Sequence, residues 1–177
     1  TEHGIARIND SLRARRIAPR FADEALALLV SGDSLFVGTP LGVFVTLGDT
    51  ASLVRLPGLG ESATFRVPVL RLAWLSDTLV ALTRDRLYWR NPSGEWTLGP
   101  DLSGTLGGLR ELVADGDGFW VAGDNGVGYV RLGTPPLRPL FFGDIPGPVT
   151  GLAADQNYLW VGTTNGLARF RLDAIRP

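Results

Sequence analysis

The chain has 177 residues, a formal net charge of −1 and 45% hydrophobic residues. The nearly balanced charge gives no electrostatic reason to expect nucleic acid or an anionic membrane as a partner, and no apolar run approaches the roughly 18 residues of a membrane span. With no cysteine and a single histidine, His3, the chain is not expected to form disulfides or a conventional zinc site.

One phrase of small, polar and apolar residues recurs from the first residues onward. Thr1–Ile8 overlays the later segment Thr163–Phe170. Fuller copies read SGDSLFVGTPLGVFV at 31–45, LSDTLVALTRDRLYW at 75–89, ADGDGFWVAGDNGVGYV at 114–130 and ADQNYLWVGTTNGLARF at 154–170. Successive equivalent positions are 38, 44, 40 and 40 residues apart, measured at Gly4, Gly42, Arg86, Gly126 and Gly166. A period near 40 residues with several short strands per unit is typical of β-propeller blades.

The repeats predict an all-β chain, a β-propeller of about four to five four-stranded blades that forms an arc or fragment of a larger propeller. We call residues 1–20 the half-repeat, because they would form the end of a blade. Repeats one to three are full blades at 21–66, 67–106 and 107–147, and repeat four is an incomplete blade at 148–177.

Turn chemistry divides each repeat into strands. In repeat three the strands are predicted at Leu109–Ala114, Phe119–Gly123 and Val127–Leu132, and the Asn-Gly pair before the last is a strong hairpin signal because both residues tolerate positive φ. The fourth strand is the least patterned. We place it near Leu53–Leu56, Glu95–Leu98 and Leu137–Phe142 in repeats one to three. The inner strands are apolar almost without alternation, which predicts sheets covered on both faces.

The two ends of the chain hold different strands. The half-repeat supplies strands three and four of a blade, whereas repeat four supplies strands one to three, so a shared blade would contain strand three twice. We therefore expect an arc whose edges are covered by another protein or by propeller blades outside this chain. The alternative is a closed four-bladed ring, in which Ile5–Ile8 pairs beside Leu159–Thr163.

The segment LWVGTTNGL at 159–167 resembles the repeat of the two-component-regulator propellers, the extracytoplasmic sensor parts of many bacterial hybrid sensor kinases. The likeness is close in repeats three and four, fair in repeat one and poor in repeat two. In that family the motif marks a blade and holds no catalytic residue. The resemblance implies a non-catalytic propeller that recognises a partner or ligand outside the cytoplasm, as in the periplasm.

A large apolar residue recurs at one position of strand two. It is Trp120 in repeat three and Trp160 in repeat four, and the equivalent positions of repeats one and two hold Phe36 and Val80. Such a residue at the blade period is predicted to fill the core between neighbouring blades. An aromatic cage for a ligand is the alternative.

Polar residues recur two positions before the first apolar residue of strand two, namely Asp33, Asp77, Asp117 and Asn157. They predict Asx-turns, in which the side chain accepts a backbone N–H two residues on. Calcium binding is the alternative, because Asp115–Gly118 resembles the start of an EF-hand loop, but Gly126 stands where that loop needs glutamate. Without a ligand cluster or a Ser-His-Asp arrangement, we expect no metal, cofactor or catalytic residue.

Strand direction predicts where a partner binds. Because strands alternate in sense within a blade, the loops after strands two and four emerge together. This face would collect the short turns Arg84-Asp85-Arg86, Asp124-Asn125 and Thr164-Asn165 and the long connections Gly58–Thr64, Gly99–Gly108 and Gly143–Pro148. Its loops vary in length and charge, as binding faces of repeat proteins do, and Arg84 and Arg86 are the expected charged anchors. A solvated hairpin tip is the alternative for these arginines.

Four arginines cluster near the N-terminus, at positions 13, 15, 16 and 20. They are typical of a charged outer strand, and a docking site for an acidic partner is the alternative. Taken together, the sequence favours a recognition or scaffold propeller. An accessory subunit of a larger assembly, and part of an enzymatic propeller with its catalytic residues outside this chain, are the other hypotheses.

Overall fold

The strands follow one another along the chain in a computed structural model, which describes residues 4–8, 10–17, 24–47, 50–54, 67–132, 145 and 148–176. The chain divides into two compact units, Thr1–Leu72 and Ala73–Pro177. Every described sheet is antiparallel, as the short strands joined by tight turns predicted. No helix among the described residues is long and apolar enough to cross a membrane.

The first unit contains a hairpin and a four-stranded sheet. The hairpin is β1 (Ile5–Ile8) with β2 (Ala14–Ile17), and the sheet runs in the order β3 (Ala27–Ser31), β4 (Ser34–Thr39), β5 (Gly42–Leu47) and β6 (Thr50–Val54). Ile5 and Val37 are buried together, with Leu35 and Phe44 packed against them. The strands of repeat one form a four-stranded sheet, the strand number predicted for a blade.

The second unit contains the sheets of repeats two to four, except that the first strand of repeat two, β7, crosses the boundary between Leu72 and Ala73. Repeat two forms β7 (Arg71–Leu75), β8 (Thr78–Leu82), β9 (Arg86–Arg90) and β10 (Trp96–Asp101), followed by the short helix α1 (Ser103–Leu106). Repeat three forms β11 (Leu109–Asp115), β12 (Gly118–Gly123) and β13 (Gly126–Arg131). Repeat four forms β14 (Val149–Ala154), β15 (Tyr158–Thr163) and β16 (Gly166–Arg171), followed by α2 (Leu172–Ile175).

The middle sheet of this unit is buried on both faces. On one face Phe119 and Val121 pack with apolar residues of repeat two, including Leu82. On the other face Trp120 packs with residues of repeat four, including Leu159. This alternation explains why β12 is apolar at every position except its glycines: neighbours along the strand serve two different cores.

The shared position of strand two is not equally buried in all repeats. Phe36, Val80 and Trp120 are buried, as predicted for a core residue. Trp160 is half-buried, so among the described residues it does not fill a core as predicted. Trp160 lies on the face of the repeat-four sheet that points away from repeat three, and no described sheet packs on that face.

The hairpins form where the sequence predicts them, but by a different backbone geometry. At the three tight turns only the glycine adopts a positive φ: 132° at Gly42, 151° at Gly126 and 146° at Gly166. Asn125 and Asn165 keep negative φ values, although the Asn-Gly pair tolerates positive φ at both positions. The glycine that opens strand three is therefore the residue each turn requires.

The predicted fourth strands agree with the structure in repeats one and two to within a few residues. They are β6 at Thr50–Val54 and β10 at Trp96–Asp101. The segment predicted for repeat three, Leu137–Phe142, lies outside the described residues. The blade boundaries and the arc stay predictions.

Candidate recognition site

The hairpin between β8 and β9 presents the predicted turn Arg84-Asp85-Arg86. Its backbone is closed by Thr83, whose N–H donates to the Arg86 carbonyl at 3.0 Å. The buried Thr83 hydroxyl donates to the Asp85 carboxylate at 2.8 Å and accepts the Arg86 N–H at 3.3 Å. A threonine at this position also bonds across the turns at Thr39 and Thr163. The same threonine hydrogen bond therefore closes this turn, which has Arg86 at the position where the other turns have glycine.

Arg86 is held by two carboxylates. Its Nε lies 2.9 Å from Asp85 and its Nη2 lies 3.1 Å from Asp101 at the end of β10. The hydrogen bond that Arg86 donates to the Asp85 carboxylate raises the pKa of Arg86 above its ordinary value. Hydrogen bonds from the Ser103 hydroxyl and backbone N–H lower the pKa of Asp101, and the charge of Arg86 adds to this. Arg86 thus anchors the turn to the following connection.

The connection after β10 sits on that turn through its backbone. The N–H groups of Leu102 and Ser103 donate to the Asp85 carbonyl at 2.9 and 3.2 Å, and the Leu109 N–H donates to the Arg84 carbonyl at 2.7 Å. Leu102 and Leu106 are buried beneath it. The predicted long connection at 99–108 is therefore ordered: it contains the end of β10 and the short helix α1.

The β12–β13 turn meets the other side of α1. The Asn125 N–H donates to the Leu106 carbonyl at 2.8 Å. Asp124 accepts hydrogen bonds from the Arg110 Nε at 2.7 Å and the Gly108 N–H at 3.2 Å. The bond from Arg110 is the main cause that lowers the pKa of Asp124, and the charge of Arg84 contributes.

Two glycines let these parts approach closely. Gly107 has a φ of 73°, and a Cβ there would lie 3.0 Å from the Asp124 Cβ. A Cβ on Gly108 would lie 2.9 Å from an Asp124 oxygen and 3.1 Å from the Arg84 Nε. Arg84 and Asp124 therefore meet over this glycine pair, which has no room for side chains.

We call residues 83–86, 101–108 and 124–125, with Arg110, the loop cluster. Its arginines at 84, 86 and 110 face the carboxylates of Asp85, Asp101 and Asp124, so the formal charges balance. The Arg110 and Asp124 side chains are 47% and 37% exposed. Such a surface offers hydrogen-bond donors, hydrogen-bond acceptors and charges of both signs on a fixed backbone. It is better suited to bind a polar protein surface than a simple anion.

The structure brings together five of the seven predicted binding residues, namely Arg84, Asp85, Arg86, Asp124 and Asn125. Thr164 and Asn165 lie at a separate tip, between β15 and β16, where the Thr164 N–H donates to the Pro148 carbonyl at 3.2 Å. The connection at 58–64 and most of that at 143–148 lie outside the described residues.

Sequence reasoning missed the residues that organise the loop cluster. Asp101 and Ser103 fix Arg86 and the start of α1, and Arg110 holds Asp124. The D-x-S spacing of Asp101 and Ser103 was a usable signal for an Asx-type bond. The Arg110 pairing joins residues 14 positions apart, and only the strand register reveals it.

Another polar group lies on the repeat-three sheet, away from these turns. The Trp120 indole N–H donates to Asp115 at 2.9 Å, and the Arg176 Nε donates to the same carboxylate at 2.9 Å. The Tyr129 hydroxyl lies 2.6 Å from the Asp115 carbonyl and 2.8 Å from the Asp117 carboxylate, and it can donate to either. The hydrogen bond that Tyr129 donates to Asp117 lowers the pKa of Asp117.

The Asx-turn prediction needs a correction in repeats three and four. Asp155, not Asn157, accepts the backbone N–H groups, from Asn157 and Tyr158, each at 2.8 Å. In repeat three, Asp117 bonds Tyr129 and pairs with Arg131 instead. Among the described residues no group of three histidine, cysteine, aspartate or glutamate side chains is placed to hold a metal ion.

A shallow cleft of about 190 Å³ lies at the start of β15, at the opposite end of that strand from Thr164. Its lining includes Tyr158, Arg171 and Arg176. Both arginines are already paired, Arg171 with Asp173 and Arg176 with Asp115. The cleft therefore has no uncompensated charge to select an ionic ligand.

The fold has counterparts among solved structures. The extracellular domain of BT4673 from B. thetaiotaomicron, described as a one-component and as a hybrid two-component system, matches with a TM-score of 0.78 and 18% identity over 96% of this chain and 25% of that one. Virginiamycin B lyase from Staphylococcus aureus matches with a TM-score of 0.72 and 12% identity over 96% and 63%. The computationally designed Ika4 protein matches with a TM-score of 0.63 and 16% identity over 84% and 91%.

These likenesses confirm a β-propeller fold, and at such low identity they establish the fold alone. The chain spans about a quarter of the length of the BT4673 domain. No protein-family model matches the chain, and no curated protein matches it in sequence.

Proposed function

We propose that this chain is a non-catalytic recognition propeller whose loop cluster contacts a protein partner. The observation that carries the proposal is the meeting of three separate connections around Gly107 and Gly108, with Arg84, Arg110 and Asp124 exposed on top. Connections that converge on a rigid scaffold are where propellers and other repeat proteins place their binding residues.

The role of each residue follows from its contacts. Arg86 bridges two carboxylates and is a positioning residue, which keeps Asp85 and α1 in place. Arg84 is exposed and lies beside Asp124, so its guanidinium can also reach an acceptor on a partner. Charge balance within the loop cluster disfavours nucleic acid and favours a partner surface with both signs of charge.

We further propose that the chain works outside the cytoplasm as a sensor or scaffold part. The support is its likeness in fold to an extracellular domain of a bacterial signalling protein, together with the repeat phrase that resembles sensor propellers. Fractionation of cells that express the native protein would test this. Recovery from the cytoplasmic fraction alone would contradict it.

The binding proposal is tested by site-specific photo-crosslinking in cells of the source organism. A photoreactive residue replaces Arg84 or Asn125 in the loop cluster. Matched controls carry it at Asp77 and Gln156, which are exposed in turns between strands one and two. We expect one discrete adduct from the first pair, identified by mass spectrometry, and none from the controls.

Two outcomes would overturn the proposal. Adducts of the same partner from Asp77 or Gln156 alone would move the interface to the other turns. The absence of any adduct from all four positions, while the protein is folded and expressed at its native level, would argue against a protein partner. A partner that also co-purifies in fixed ratio would identify the chain as an accessory subunit of an assembly.

A further inference from the structure

The charges of the loop cluster balance in total but are unevenly distributed. Two arginines, Arg84 and Arg110, lie around the single carboxylate of Asp124. The Arg110 Nε donates to that carboxylate at 2.7 Å, and the charge of Arg84 acts on it as well and helps to lower the pKa of Asp124. We call these three residues the arginine half. With two guanidinium groups and one carboxylate, the arginine half carries one net positive charge.

Arg84 is the arginine with unused hydrogen-bond donors. Its Nε lies 3.1 Å, and an Asp124 oxygen lies 2.9 Å, from the position that a Cβ on Gly108 would take. Both groups therefore lie over the same glycine. Within the described ranges, the Arg84 side chain makes no hydrogen bond or ion pair, whereas Arg86 and Arg110 each pair with a carboxylate. Arg84 thus keeps the donors of its guanidinium for an incoming acceptor.

The opposite arrangement surrounds Arg86. This arginine lies 2.9 Å from Asp85 and 3.1 Å from Asp101, so two carboxylates share one guanidinium. The Arg86 side chain is 25% exposed, whereas those of Asp85 and Asp101 are each 49% exposed. We call these three residues the acidic half. It carries one net negative charge, and its carboxylates are more accessible than its arginine.

Backbone hydrogen bonds hold both halves to the segment that contains α1. The Asp85 carbonyl accepts the N–H groups of Leu102 and Ser103 at 2.9 and 3.2 Å. On the other side, the Asn125 N–H donates to the Leu106 carbonyl at 2.8 Å. The two halves therefore keep a fixed order along the surface. A partner whose charges are arranged in the wrong order would place like charges together, which costs affinity.

We propose that the protein partner of the loop cluster presents a carboxylate to Arg84 and Arg110 and a cationic side chain to Asp85 and Asp101. This inference rests on the proposed function, because it describes the partner of that same surface. Its support is the unpaired guanidinium of Arg84, the opposite net charge of the two halves and the exposure of the acidic side chains. Arginine and carboxylate form the strongest charge-assisted hydrogen bonds, so the arginine half fixes the orientation of the partner.

Small charged thiols test the two halves without the partner. Because the chain contains no cysteine, a single substitution introduces a unique thiol. Asn125→Cys places it beside the arginine half, since the Asn125 side chain lies over Gly107 together with Asp124. Gly104→Cys places it beside the acidic half, directly after Ser103, and a Cβ at Gly104 has nothing within 4 Å.

Each folded variant is equilibrated with equal concentrations of 3-mercaptopropionate and cysteamine in an oxidising buffer. The first probe carries a carboxylate and the second an ammonium group. Mass spectrometry then gives the ratio of the two mixed disulfides on the protein. The same ratio measured in concentrated urea is the reference, because it contains the intrinsic preference of the thiols without the folded surface.

The two cysteines should give opposite results. At Asn125→Cys, folding should favour the mercaptopropionate disulfide by about 3-fold or more, the effect of an exposed ion pair, and at Gly104→Cys it should favour the cysteamine disulfide. Arg84→Gln should return the ratio at Asn125→Cys close to its urea value. Asp124→Asn should raise it, because a competing carboxylate is lost. Arg13→Gln, outside the loop cluster, is the matched control and should change neither ratio.

The partner identified by photo-crosslinking at Arg84 then tests the pairing itself. Replacing its carboxylate nearest the adduct with arginine should weaken binding about 10-fold or more, because like charges then meet. Arg84→Glu should recover most of that loss, since the two charges are exchanged rather than removed. Failure of Arg84→Glu to recover any binding would contradict the pairing.

Two results of the thiol experiment would overturn the proposal. A ratio at Asn125→Cys that equals its urea value or favours cysteamine would show that the arginine half does not select a carboxylate. The same preference at both cysteines would show a uniform surface rather than two opposite halves. In either case a crosslinked adduct would leave the proposed function intact. A carboxylate preference without any adduct would instead contradict the proposed function, and the pairing with a partner would fail with it.

Discussion

The indole N–H of Trp120 donates to the carboxylate of Asp115 at 2.9 Å, five residues earlier along one hairpin. Trp160 and Asp155 repeat this bond at the same distance. The first pair is buried and joined by Arg176, whereas Asp155 is exposed. The same Trp–Asp hydrogen bond therefore occurs in a buried and in an exposed environment, and this difference leads to a matched pair of predictions.

Asp115→Ala should lower the free energy of unfolding by about 2–3 kcal/mol, because it leaves a buried indole N–H and part of a guanidinium without an acceptor. Asp155→Ala removes the same bond at an exposed site and should cost about 1 kcal/mol or less. Urea unfolding of both variants checks the difference. Equal losses would show that burial does not control the value of this bond.

Trp120→Ala should cost about 3–5 kcal/mol, the usual range for truncation of a fully buried large aromatic side chain. Trp160→Ala should cost clearly less, since its ring is half-buried and packs with Arg169 and Tyr158 rather than a core. Thermal and urea unfolding would measure both. A larger loss from Trp160 than from Trp120 would contradict the burial difference.

Much of the fold could be predicted from the sequence, because turn residues and continuous apolar strands repeat with a fixed period. The strand boundaries of repeat three agree with the structure to within one residue at every end, for example Leu109–Asp115 for β11. Burial of Trp160 could not be predicted this way. Equivalent positions have equal burial only when each has a covering neighbour.

The candidate site was predictable only in outline. Strand direction predicted one face for seven residues, because antiparallel strands return their turns to the same end. The structure brings Arg84, Asp85, Arg86, Asp124 and Asn125 together, and it places Thr164 and Asn165 at a separate tip. The D-x-S spacing of Asp101 and Ser103 signals the bond that opens α1, but the backbone contacts of α1 with the neighbouring turns do not follow from any local pattern. The pairing of Arg110 with Asp124 follows only from the strand register.

Unfolding should also become easier at alkaline pH because of Tyr129. Burial and the hydrogen bond to Asp117 raise the pKa of Tyr129 from 10.0 to about 12. The folded state thus prefers the neutral phenol, so its stabilisation is complete below pH 10 and is lost as the pH rises towards 12. The slope for one proton is at most about 1.4 kcal/mol per pH unit.

Tyr129→Phe should reduce that slope between pH 10 and 12, measured by urea unfolding at a series of pH values. A smaller slope should remain, because burial also raises the pKa of Tyr88. An unchanged pH dependence in the Tyr129→Phe variant would show that another group controls alkaline stability.

Two glycines of the loop cluster should respond oppositely to alanine. Gly104 lies within α1 with nothing within 4 Å of an added Cβ, so Gly104→Ala should stabilise the chain by up to about 1 kcal/mol. Gly107 has a φ of 73° and would press a Cβ against Asp124, so Gly107→Ala should destabilise by about 1 kcal/mol or more. Melting temperatures that shift in the same direction would contradict this geometry.

The most direct test of the recognition surface is the dissociation constant for the partner captured through the loop cluster. Arg84→Ala combined with Asn125→Ala should weaken binding about 10-fold or more, because contacts at the centre of an interface dominate affinity. Arg13→Ala combined with Arg15→Ala, in the exposed N-terminal arginine cluster, should change it less than about 2-fold. The reverse order, with both pairs folded by circular dichroism, would contradict the assignment and place the contact on the arginine cluster.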